Sequence, residues 1–157
     1  MQISRKIYKD WMAETQVEKL NSILENVKPK GKILDVGAGP GFLSHLIKNV
    51  TSVDIDAENL ANAKGKKVVA SGDNLPFKEN SFDFVFCIDT IHLLKNPKEL
   101  ERVLKQKGIL VVSIFCNENN YREKKAWLKS LFPKMRLVKE LLVITKNESD
   151  AVLIFTT

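Results

Sequence analysis

From Lys6 to Asn26 the apolar residues Ile7, Trp11, Val17, Leu20, Ile23 and Leu24 recur at helical spacing. Val27 extends the stripe before Pro29 and Gly31 stop it. The pattern then shortens. Apolar runs of strand length lie at Lys32–Val36, Val50–Ile55, Lys66–Ser71, Phe82–Ile88 and Gly108–Phe115. The segments between them predict helices over Gly41–Lys48, over Asp56–Lys64 with Asp56 as N-cap, and in a segment opened by Pro97. A helix over Asn120–Phe132, closed by Pro133, follows the fifth strand. The chain then changes character: Met135–Thr145 and Asp150–Thr157 are strand-like runs joined by a short polar turn, which predicts an antiparallel hairpin. Five strand–helix units and a hairpin predict an α/β fold. Its seven-stranded sheet is mostly parallel, covered by helices on both faces, with an antiparallel strand from the C-terminal hairpin. In such a sheet the ligand crevice lies at the carboxyl ends of the strands, beside the first strand.

Composition narrows this picture modestly. A chain of 157 residues with 44% hydrophobic content supports one buried core, so one domain is expected over 1–157. The N-terminal residues show no signal-peptide pattern, and no stretch approaches the ~18 apolar residues of a membrane span. A cytoplasmic protein is expected. Cys87 and Cys116 sit inside apolar runs, with no Cys/His cluster to suggest a metal site. The formal net charge is +6, and residues 117–140 hold seven basic residues against three acidic ones. That stretch admits RNA as a partner, though a lysine-rich solvated helix face is the plainer reading.

The chemistry gathers at Ile33–Gly41, "ILDVGAGPG". A dinucleotide fingerprint would place its third glycine where Phe42 stands, and no Gly-Lys-Ser/Thr follows to make a phosphate-binding loop. Asp35 puts a carboxylate at the end of the first strand, which suits a ligand with a positive group. S-adenosylmethionine (SAM) has both an ammonium and a sulfonium. Gly37, Gly39 and Gly41 let backbone approach the ligand. Asp54, 17 residues beyond Gly37, is placed to accept hydrogen bonds from ribose hydroxyls, and Ile55 to cover an adenine face.

These residues resemble the class I SAM-dependent methyltransferases, a Rossmann-like family. "ILDVGAGPG", with Ala38 inside it, resembles the family's first motif, and "VDID" its acidic ribose-binding position. "LPFKENSFDFVF" resembles the block of the branch that contains the ubiquinone and menaquinone methyltransferases. "KGILVVSIF" resembles the fifth strand, and the terminal hairpin the reversed last strand. The resemblance implies SAM as methyl donor and S-adenosylhomocysteine (SAH) as product. It implies that residues 1–28 form a capping helix region, with Tyr8 and Trp11 over the methionine end of SAM. At the adenine edge the sequence departs from the family: Ser71 and Gly72 stand where an acid is usual, with Asp73 and Asn74 following. The adenine contact therefore falls either to Asp73 or to Ser71 and the Gly72 backbone.

After the fourth strand, Asp89, Thr90 and His92 face the methyl in this family. His92 is the candidate base, Asp89 a candidate for the chemistry or for the methionine end. "CIDTI" replaces the Asn/Asp-Pro-Pro-Tyr of exocyclic-amine methylation, and little is inserted after the fifth strand to build a lid. The acceptor stays open between a small molecule, RNA and protein, with a homodimer or partner subunit as ways to complete the site. A SAM-binding subunit without catalysis is the rival from another class.

Overall fold

The structure, a computed structural model, describes residues 5–157, with side chains from Met12 onward; Tyr8 and Trp11 lie outside the described side chains. In chain order the elements are α1 (Arg5–Leu24), β1 (Ile33–Val36), α2 (Phe42–Leu46), β2 (Val50–Asp54), α3 (Ala57–Leu60), β3 (Lys66–Val69) and β4 (Phe82–Ile88). A 3-10 turn (Ile91–Leu93) leads to α4 (Lys98–Val103), β5 (Leu104–Cys116), α5 (Tyr121–Leu131), β6 (Arg136–Ile144) and β7 (Ser149–Thr156). The seven strands form one sheet in the order β3-β2-β1-β4-β5-β7-β6. The first five pair in parallel; β7 runs antiparallel to both β5 and β6. This is the doubly wound, Rossmann-like arrangement expected.

Alternation along the strands divides the core into two layers. On β7, Ala151, Leu153 and Phe155 join Leu100, Leu128 and Phe132 beneath α4 and α5. Val152 and Ile154 point the other way, to Leu20, Ile23 and Leu43 beneath α1 and α2. β1 is buried along its whole length, as a central parallel strand must be.

The first two crossovers are shorter than the sequence pattern suggests. α2 spans 5 residues and α3 spans 4. Ile47 is extended at the end of α2 and Asn49 is left-handed, so the chain turns into β2 before a further helical turn forms. Asp56 does cap α3, its carboxylate accepting from the N–H of Glu58 at 2.9 Å and of Asn59 at 3.4 Å. β1 leads through α2 to β2 on one side, and β4 lies on its other side. The carboxyl ends of β1 and β4 therefore flank a topological switch point.

Candidate functional site

At that switch point a cavity of about 730 Å³ opens, within the size range of small-molecule sites. Its floor is the glycine loop. The N–H groups of Gly37 and Ala38 both donate to the Val53 carbonyl, at 2.8 and 2.9 Å, which draws the loop across the end of β2. Asp54 then fixes the loop from the side. One carboxylate oxygen accepts the Gly39 N–H at 2.8 Å and the other the Asp56 N–H at 2.9 Å.

The loop glycines divide by what surrounds them. A Cβ on Gly37 would stand 2.3 Å from Thr90 Oγ1, and one on Gly41 would stand 2.4 Å from Ala63 Cβ. Gly39, also at positive φ (+55°), has no atom of the described residues beyond its chain neighbours within 4 Å of that position. Of the three, Gly39 is the one with open space beside it among the described residues.

Asp35, Gly37, Ala38, Gly39 and Asp89 line the cavity together, joined by Thr90, Phe115 and, from the α3 side, Glu58, Asn59 and Asn62. Met12, Ala13, Gln16 and Leu20 of α1 form the facing wall. The charged side chains in this described lining are Asp35, Glu58 and Asp89, all acidic, in a chain with net charge +6. Burial, with the Asp54 carboxylate nearby, pushes Asp35 up to about 7.

Other candidates stand apart from this lining. Ile55 is 75% exposed beside Asp54. Asp73 accepts the N–H groups of Lys95 and Asn96 at 2.8 and 2.7 Å, and Ser71 Oγ accepts the Asp73 N–H at 3.1 Å. Gly72 is packed between Leu94 and Val36, while Asn74 is exposed. His92 is exposed on the 3-10 turn, outside the cavity lining. Cys87 is buried in β4, where burial raises its thiol far above the ordinary range; Cys116 is half-buried at the end of β5.

A cluster missed from the sequence backs the cavity. Lys19 of α1 is fully buried and its ammonium pairs with Asp89, Glu148 and Asp150, the last at 3.2 Å. It also sits 4.6 Å from the Phe115 ring centroid. Burial alone would lower the Lys19 pKa, but the charges of Asp89 and Asp150 and its hydrogen bonds hold it above the ordinary value. The three carboxylates lie within 4.8 Å of one another, close enough to hold a metal ion, and the Lys19 ammonium is the cation among them. Asp89 adopts a left-handed backbone (φ 55°) and its N–H donates to the Ser113 carbonyl at 3.2 Å. The carboxylate nominated for chemistry is thus held in an ion pair.

Known proteins give this geometry a family. Residues 34–112 match the methyltransferase domain family. An uncharacterized protein of Methanocaldococcus jannaschii is 34% identical over 140 residues, covering 81% of this chain and 67% of its own length. Two further proteins of that organism are matched over 56% and 40% of their lengths, so the chain spans about half the length of these relatives. A Thermotoga maritima SAM-dependent methyltransferase, described as a possible histamine N-methyltransferase, shares the fold at TM-score 0.75. The two are 21% identical, over 95% of this chain and 93% of that one. A chain of the Haloferax volcanii complex between the Trm112 methyltransferase activator and its methyltransferase superposes at TM-score 0.80 and 14% identity. That match covers 94% of this chain and 91% of the other. A glycine loop at the switch point of this sheet, inside a methyltransferase-domain match, makes the chain a member of the class I SAM-dependent methyltransferases.

Proposed function

We propose that the chain transfers the methyl group of SAM to a neutral or cationic nucleophile. The observation behind this reading is the wholly acidic set of charged side chains lining the described cavity. It suits a cationic cofactor and disfavours an acceptor that enters by its phosphates. The residues fit SAM: the open face of Gly39 leaves a cradle for it, and Asp35 offers a carboxylate to a positive group. When bound, SAM supplies an activated methyl carbon with a good leaving group. The chain's part is placement. Asp54, by holding the Gly39 N–H, sets the loop and offers its remaining lone pairs to the ribose, with Ile55 beside the adenine. Asp73 or Ser71 and Gly72 take the adenine edge. Asp89 and Thr90 face the methionine end, and the α1 wall excludes water. The "LPF…SFD" block, as in the ubiquinone and menaquinone branch, favours a small acceptor.

Calorimetry with SAH, followed by transfer of labelled methyl from SAM into separated small-molecule, RNA and protein fractions, tests the reading. Absence of SAH binding overturns it. SAH binding with no label in any fraction leaves either a SAM-binding subunit without catalysis or a methyltransferase subunit that needs a partner, the second being the arrangement of the structural neighbour in complex with an activator.

Two consequences follow for binding. Asp35 rests near pH 7 without ligand, so binding of a cation draws on its ionised form. SAM affinity should rise about tenfold from pH 6 to pH 8, with proton release at the lower pH. Calorimetry in buffers of different ionisation enthalpy reads both; a flat profile, or one unchanged in Asp35→Asn, removes Asp35 from the cation site. Asp54→Ala should weaken SAH binding by roughly 1.5–3 kcal/mol, the scale of a hydrogen bond to a charged group. Unaltered affinity would reject the ribose role.

A further inference from the structure

Under the opposite end of the sheet lies a second concavity, about 1060 Å³, beneath the N-terminal ends of β1, β2, β3 and β4. Five exposed lysines line it: Lys32, Lys48, Lys64, Lys66 and Lys78. Asp83 is the acidic side chain in this lining. It accepts the Lys32 backbone N–H at 2.8 Å and pairs with Lys105 at 3.3 Å, contacts that hold it below the usual carboxylate range. Among the described residues none of the five lysines forms an ion pair. The basic stretch at 117–140 is different, because Lys125 and Lys129 there share Glu140 at 3.0 and 3.2 Å.

Like charges gathered in a concavity repel one another and focus positive potential, a cost relieved when an anion enters. Lys32, Lys48, Lys64 and Lys78 come from four separate loops and Lys66 opens β3, so the gathering is a product of the fold. A membrane-docking surface adds apolar side chains that insert among the lipids. None of the large, exposed apolar side chains of the described residues lines this groove. Lysines are point charges suited to phosphates, the sequence-independent part of nucleic-acid binding. We propose that the groove binds the phosphate backbone of a nucleic-acid strand. The strand is then held at the end of the domain remote from the acidic cavity, as a tether.

Fluorescence anisotropy of the full chain with a labelled, mixed-sequence, single-stranded RNA of about 20 nucleotides tests this. With five phosphates neutralised, the logarithm of the association constant should fall against that of salt concentration with a slope of about −3.5. The triple variant Lys48→Gln, Lys64→Gln, Lys66→Gln should flatten the slope by about 2. Its melting temperature and SAH affinity, read separately, should match the wild type, so failure here is distinct from failure of the methyltransferase reading. An unchanged slope in the variant overturns the site. No RNA binding at about 50 mM salt overturns the occupant. So does tighter binding to phosphatidylserine-containing vesicles than to the RNA.

Discussion

Lys19→Met is expected to lower the melting temperature by about 10 °C at pH 8, through a loss of about 3–5 kcal/mol. Methionine fills much of the volume, so a cavity is not the cause. The loss comes from Asp89, Glu148 and Asp150, which remain behind α1 without the ammonium that sits among them. Asp150 is fully buried, and burial, with Asp89 beside it, already holds it well above the usual carboxylate range. In the folded state it therefore binds a proton more tightly than in the unfolded chain. Its contribution to stability falls as pH rises from the ordinary carboxylate value toward the raised one. Without Lys19 this dependence steepens, because protonation becomes the remaining way to relieve the cluster. The gap between wild type and variant should narrow by pH 5, and Asp150→Asn added to Lys19→Met should recover part of it. Thermal melts across pH measure this. A gap that is small, or constant from pH 5 to pH 8, would mean that Lys19 carries no electrostatic work.

That cluster also marks where the sequence was readable and where it was not. The sheet was readable because parallel strands buried on both faces are short apolar runs, and Asp56 declared its cap directly. The frame of the candidate site was readable because Asp35 lies near the end of β1, and Gly37, Ala38, Gly39 and Asp89 follow strand ends that converge at one switch point. The lengths of α2 and α3 were not, since polar, helix-compatible residues continue past the point where Ile47 and Asn49 turn the chain. Lys19 did leave a trace. It falls on the stripe Thr15, Lys19, Ile23, Val27, all buried, where a lysine is anomalous. Asp150 likewise takes the inward position that Val152 and Ile154 continue. Each anomaly alone reads as a boundary residue; only the fold shows that they meet. Charge was legible in local density, which pointed to 117–140, whereas the lysines with no ion pair among the described residues gather from positions 32 to 78. The three loop glycines looked equivalent because sequence does not tell what a missing Cβ would touch.

Gly39→Val separates those glycines by experiment, and it should abolish SAH binding while the domain stays folded. Valine at φ +55° pays roughly 1–2 kcal/mol of backbone strain, a few degrees of melting temperature in a chain of this size. Beyond its chain neighbours, no atom of the described residues lies within 4 Å of its Cβ, so they add no packing clash. The side chain projects instead into space left open beside the N–H that Asp54 holds, the room proposed for the cofactor. Gly37→Val behaves oppositely. Its Cβ would meet Thr90 Oγ1 at 2.3 Å and Thr90 Cγ2 at 2.4 Å, so the loop and the β4 end must part, and folding suffers first. Melting curves with and without SAH, together with calorimetry, read the pair. The expected result is a melt close to wild type with no SAH-induced shift for Gly39→Val, and a much lower melt for Gly37→Val. SAH bound normally by Gly39→Val would show that the cofactor does not approach this face of the loop, and the cavity at the switch point would lose its assignment.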